Sequence, residues 1–144
     1  MQTITDYMSA DHQRCDNLFA EAEAAAVKND LAVVTARFAA FHQGMQHHLT
    51  MEETILFPAF EQATGSSMGP TRVMRMEHEQ MRELFAQMQA ALAAKDTHTY
   101  AGLSEALLIL MQQHNMKEEQ MLYPMADRAL QERDSIIRQM GAIQ

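Results

Sequence analysis

The sequence predicts an all-α protein: an up-down four-helix bundle built from two duplicated helical hairpins, with a short C-terminal helix. Three observations predict it. Helix-forming Ala, Leu, Met, Gln and Glu abound, and no segment sustains the period-two alternation of a strand. Only five Gly and three Pro occur in 144 residues, so turns are few and the elements are long. Two blocks also repeat at one offset of 66 residues: "MSADHQRCDNLFA" (8–20) lies over "MRMEHEQMRELFA" (74–86), and "MQHHLTMEETILFP" (45–58) over "MQQHNMKEEQMLYP" (111–124). A duplicated hairpin can bury its apolar faces against its own copy.

Each element has its own signals. The first helix starts near Thr3 or Thr5 and runs to about Lys28. Asn29 and Asp30 break it, and Asp30 is placed to N-cap a second helix from Leu31. That helix reaches about Ala63, strained or ended near Pro58. "TGSSMGP" (64–70) is the central loop. A third helix follows Pro70 to about Ala94, and "KDTHT" (95–99) opens a fourth that Pro124 ends or kinks. "MADRALQERDSIIRQM" reads as a short fifth helix or a bent continuation.

Apolar residues recur at helical spacing along all four long helices. The stripes are Met8, His12, Cys15, Phe19, Ala22 and Ala26; Val34, Phe38, Phe41, Met45, His48, Glu52, Ile55 and Ala59; Met74, His78, Met81, Phe85, Met88 and Leu92; and Leu103, Leu107, Met111, His114, Glu118 and Met121. In every helix a His interrupts the stripe, and in two a Glu follows one turn later.

Charge narrows the function. The net charge is −8 and no Lys/Arg cluster occurs, which argues against a nucleic-acid partner. There is no run of 18 apolar residues and no basic-then-apolar leader, so neither a membrane span nor a secretory signal is expected. The single Cys15 excludes an internal disulfide and fits a reducing cytoplasm. Residues 1–144 are expected to form one domain, as a monomer or homodimer.

A buried imidazole or carboxylate is costly when left alone, and six in one core demand a compensating charge. Residues i and i+4 stand about 5–6 Å apart on a helix face. His48 with Glu52, and His114 with Glu118, can therefore reach the same or adjacent metals at about 2.0–2.2 Å. His12 and His78 complete a set of four nitrogens and two carboxylates. If each carboxylate bridges, two metals lie about 3.5–4 Å apart. Each would have two His, two carboxylate oxygens, room for an oxo or hydroxo bridge, and an open position for a small exogenous ligand. Mixed nitrogen and oxygen donors without thiolate favour iron, with zinc or manganese as substitutes.

A solitary His-x-x-x-Glu pair is ordinarily an exposed hydrogen bond, but here both pairs sit in apolar stripes and duplicate in register. Other polar residues invite simpler roles. Glu53 and Glu119 are rotated about 140° from His48 and His114, which predicts solvated or Arg-paired carboxylates. His42 and His47 lack repeat partners and read as peripheral, with second-shell work the alternative for His47. His98 reads as exposed. Cys15 reads as core filler, or as a thiol close enough to a metal pair to meet oxidants. The 14 methionines mostly fill stripe positions. Leu130, Ile136, Ile137 and Met140 form a tail stripe that packs on the bundle or makes a dimer contact.

The set His12, His48-x-x-x-Glu52, His78 and His114-x-x-x-Glu118 resembles the hemerythrin-like (HHE cation-binding) family. Both halves continue as Glu-Glu-x-x-Leu-aromatic-Pro, and the likeness extends from about Asp6 to Pro124. It implies a four-helix bundle around a non-haem di-iron centre. Oxygen-carrying hemerythrins use five His with a Glu and an Asp, including a His-x-x-x-His on the third helix. Here Arg82 stands four residues after His78, and the fourth-helix acid is Glu118 at i+4 rather than an Asp at i+5. The donor set is closer to the four-His, two-Glu branch, similar to the di-iron domain of iron–sulfur-cluster repair proteins and to bacterial stress-linked members. The Cys-containing N-terminal domain of the repair proteins has no counterpart in these residues, so only the domain's chemistry is expected to carry over. The implied function is binding or sensing of O2, NO or peroxide by two irons. The alternatives are an oxidoreductase turning over peroxide or NO, and iron storage or delivery; whether the protein is an enzyme stays open.

Overall fold

The computed structural model describes residues 2–144. Four rods form the bundle. The first is α1 (Ile4–Val27). The second joins α2 (Leu31–Met51) through a π-helical turn, Glu52–Leu56, to α3 (Phe57–Thr64). The third is α4 (Pro70–Ala93). The fourth joins α5 (Thr97–Lys117) through a π-helical turn, Glu118–Leu122, to α6 (Tyr123–Ala129), and a short α7 (Arg133–Gly141) follows. Among the described residues there is no strand, and no helix is long and apolar enough to cross a membrane.

The duplication is visible in the turns. Asn29 and Lys95, 66 positions apart, both adopt left-handed backbone conformations with φ of 57° and 58°. The aspartate that follows each caps the next helix: Asp30 Oδ1 accepts from Val33 N, and Asp96 Oδ1 from Thr99 N. The short capping side chain thus fixes where α2 and α5 begin.

Pro58 and Pro124 do not end their helices. Each falls in the first turn of the segment after a π-helical turn. A proline ring inside an α-helix collides with the carbonyl four residues back; the wider turn just before it relieves that clash. In that turn Phe57 N donates to the Glu52 carbonyl and Tyr123 N to the Glu118 carbonyl. The extra residue also shifts the inward stripe by one place. Ile55 is only half-buried and Met121 is exposed, contrary to the helical spacing, while Leu56, Phe57, Leu122 and Tyr123 are buried. A smaller correction falls in α1, where Ala25 is buried and Ala26 only partly so.

Two apolar clusters sandwich the polar middle. One, built on Phe19, Phe38, Phe41, Phe85 and Met88, fills the end bounded by the hairpin turns. The other holds Ile4, Met8, Met51, Phe57, Met74 and Tyr123. Leu130 and Met140 are buried in that second cluster, so the tail packs on the bundle. His47 Nε2 helps by meeting the Ile143 carbonyl at 2.9 Å, a peripheral role. His42 Nδ1 meets Gln89 Nε2 at 3.1 Å, and His98 is exposed, both as expected.

Asp127 on α6 ties the last rod to the start of the first. Its carboxylate accepts from Ile4 N at 2.7 Å, Thr5 N at 3.1 Å and Thr5 Oγ1 at 2.6 Å. It caps α1 from across the bundle. Asp127→Ala is expected to cost about 1–2 kcal/mol, measured as a lower urea midpoint with an unchanged m-value.

Candidate metal centre

All six predicted donors face inward, each at most 4% exposed. They form two clusters that share both carboxylates. His12, His48, Glu52 and Glu118 make one; Glu52, His78, His114 and Glu118 make the other. Within each cluster one donor atom per residue lies within 4.8 Å of every other, close enough to hold one cation. The rings also pair, with centroids 4.6 Å apart for His12–His48 and 5.0 Å for His78–His114.

The orientation of each imidazole is set from outside. Asp11 on α1 takes His48 Nδ1 at 2.7 Å, and Glu53 beside α2 takes His78 Nδ1 at 2.7 Å. Glu77 on α4 takes His114 Nδ1 at 2.8 Å, and Glu119 beside α5 takes His12 Nδ1 at 2.7 Å. Each rod therefore carries the acid that braces the histidine of the next, in a closed ring around the bundle. A carboxylate accepting from Nδ1–H leaves the Nε2 lone pair for the interior, which is how metal-binding histidines are held.

Three braces are themselves anchored by cations. Arg14 Nε reaches Asp11 at 2.9 Å, Arg82 takes both oxygens of Glu53 at 2.7 and 2.9 Å, and Lys117 Nζ meets Glu77 at 2.5 Å. Glu119, 40% exposed, has no Lys or Arg at ion-pair distance among the described residues. The Arg-paired role expected for Glu53 is correct, though it omitted the bond to His78. Glu119 is partly solvated, as expected, and in addition bonds His12, which the sequence reading did not foresee. Asp11 and Glu77 were missed; each immediately precedes a repeat histidine, and that register is the one signal that marks them.

The interior atoms fit a cation better than they fit one another. Nε2 of His78 and of His114 approach Glu52 Oε1 and Glu118 Oε1 at 3.1 and 3.2 Å, and His48 Nε2 approaches Glu52 Oε1 at 3.5 Å. None of these three contacts has hydrogen-bond alignment. Nε2 of His48, His78 and His114, Glu52 Oε1 and Glu118 Oε2 remain buried without a partner. Buried polar atoms left unpaired in this number are costly, and a shared positive ion would satisfy them together. Cys15, one turn from His12, is buried, and burial pushes its thiol up to about 12, which makes it inert filler.

Without a metal, protons carry the compensating charge. Burial opposes charging His12 and His78, yet the facing carboxylates of Glu118 and Glu52 prevail and raise both imidazoles to about 9. Burial and the charge of Glu118 push Glu52 up. Burial would likewise raise Glu53, but His78 and Arg82 hold it at about 2. A raised histidine stabilises the fold fully below its unfolded value of 6.5, and that contribution is lost as pH climbs through about 9. The depressed Glu53 stabilises above its unfolded 4.5, and that contribution is lost as pH falls towards 2. Metal-free protein is therefore expected to melt highest between about pH 4.5 and 6.5 and measurably lower at pH 9, by calorimetry.

Residues 3–126 match the family model described as the hemerythrin HHE cation binding domain. The chain belongs to that family. A 44-residue stretch of this hemerythrin HHE chain is 48% identical to the iron-sulfur cluster repair protein YtfE of Citrobacter koseri and 46% identical to YtfE of Escherichia coli. The stretch makes up 30% of the HHE chain and 20% of each relative, so the match spans about a fifth of the length of those curated relatives. No solved structure matches the chain.

Proposed function

We propose that His12 and His48 on one side, and His78 and His114 on the other, hold two iron ions bridged by Glu52 and Glu118, and that the pair binds or senses a small oxidant such as O2, NO or peroxide. One observation carries this reading: two buried two-His, two-Glu clusters share both carboxylates. When bound, iron would supply one-electron redox changes and an open coordination position. The rest is done by the chain. Asp11, Glu53, Glu77 and Glu119 hold the imidazoles with Nε2 inward. Phe57 stacks on His78, and the two apolar clusters keep bulk water from both ends of the site.

A second reading, turnover of peroxide or NO, has one feature in its favour. Arg82 stands where an oxygen carrier has a further histidine, and it pairs with Glu53 and Glu79 instead of facing the site. Each iron would then have two histidines, leaving both reachable. The short likeness to iron-sulfur cluster repair proteins also makes iron delivery a reading worth an arm of the test.

Iron is loaded anaerobically, and the charge-transfer bands of the centre are followed while O2, NO and H2O2 are added separately. A stable, reversible spectral change supports binding or sensing. Catalytic disappearance of oxidant supports turnover, and loss of iron supports delivery. Protein that binds no iron with all six residues intact would end the proposal.

A further inference from the structure

The duplicated motif differs between its halves at one inward position. Phe57 stacks on His78, with centroids 5.5 Å apart and rings inclined by 25°. Its repeat counterpart Tyr123 faces His12 at 5.5 Å and 33°, and carries a hydroxyl that Phe57 lacks. That oxygen is buried 2.7 Å from Glu52 Oε2, 2.9 Å from Glu118 Oε1 and 3.1 Å from His12 Nε2. The two carboxylates are shared by both clusters, and His12 assigns the hydroxyl to the one completed by His48.

The spacing decides what the hydroxyl does. Donors bound at about 2.1 Å to one octahedral cation lie about 3 Å from their neighbours. Tyr123 Oη stands at that separation from three donors of the same cluster, where a further vertex belongs. As a neutral phenol it has one proton to offer, which serves one of the two carboxylates and leaves the other unserved. Once His12 Nε2 carries a metal it has no lone pair left for the hydroxyl; a cation behind all four atoms serves each of them.

We propose that Tyr123 is a further protein ligand, a phenolate to the iron held by His12 and His48. Its proton leaves to solvent as the iron is bound. The centre is therefore unequal: the phenolate occupies a vertex of that iron, and the iron held by His78 and His114, beneath Phe57, keeps the position for an exogenous ligand. This rests on the di-iron reading above.

The test uses the full chain oxidised with iron, with iron content, visible absorption, resonance Raman and Mössbauer spectra read together. Wild type is expected to show a tyrosinate-to-Fe(III) charge-transfer band with enhanced phenolate ring modes, and two unequal iron doublets. Tyr123→Phe is expected to lose the band and modes and bring the doublets together. Phe57→Tyr is expected to intensify the band by adding a phenolate on the other side. The variant also decides the matter if Tyr123→Phe folds poorly, since an unchanged spectrum in Phe57→Tyr would overturn the vertex argument. Two irons per chain without the band in wild type, or a band that survives in Tyr123→Phe, would overturn the ligand while leaving the di-iron reading intact. Wild-type protein that takes up no iron would overturn both.

Discussion

Glu118→Gln is expected to remove both cations together rather than one. Glu118 belongs to both clusters, 3.0 Å from His12 Nε2 and 3.2 Å from His114 Nε2, and is fully buried. The amide keeps the shape and removes the anion, so neither position retains its full charge compensation. The loss in affinity should exceed the roughly 10–100-fold typical of an outer partner. Iron content after desalting should fall towards zero, and the melting-temperature gain on adding iron should vanish with it. At a metal concentration of 100 Kd that gain corresponds to about 2.7 kcal/mol. The metal-free variant should also melt below metal-free wild type at neutral pH, because the Glu118 carboxylate is the partner of the charged His12 and His114 when no cation is bound. Retention of one firmly held iron per chain would show that Glu118 does not bridge.

Glu53→Gln is expected to weaken metal binding by about 10–100-fold without abolishing it. The side chain touches no cation position directly; it fixes His78 through Nδ1, and Arg82 fixes it in turn. The substituted amide could still accept from Nδ1–H, but as a neutral group it would do less to strengthen the imidazole as a donor. It would also leave Arg82 without a carboxylate partner on that side. Glu119→Gln should fall at the low end of the same range, since Glu119 is half exposed to screening water and has no cationic anchor. Competition against a chromogenic chelator measures both. Wild-type affinity in Glu53→Gln would refute the bracing role.

Most of the fold and the six inward donors could be read from the chain because each lies on a single helix's own periodicity. His48 and Glu52 declare themselves by spacing, and the copy at His114 and Glu118 repeats the statement. The four braces obey a different geometry. Asp11 sits next to His12 in sequence but serves His48 on the neighbouring rod, and Glu53 turns away from His48 because it faces His78. Spacing along one helix cannot describe a bond between two. The misplaced Ile55 and Met121 have another cause: a constant period of 3.6 has no room for a five-residue π-helical turn, and the prolines that mark those turns read only as kinks or terminators. Tyr123 was legible only as an aromatic at a repeated position. What its oxygen meets depends on three other elements.

Those π-helical turns also bear on how much the protein rearranges when metal comes and goes. Relaxing either turn to ordinary helix would slide Pro58 or Pro124 into a true helix interior, a penalty of about 3 kcal/mol or more. The same slip would swing Phe57 or Tyr123 out of register. Each proline thus acts as a latch on the turn before it, so the donors should wait in nearly their final arrangement, and iron uptake should proceed with little reorganisation of the backbone.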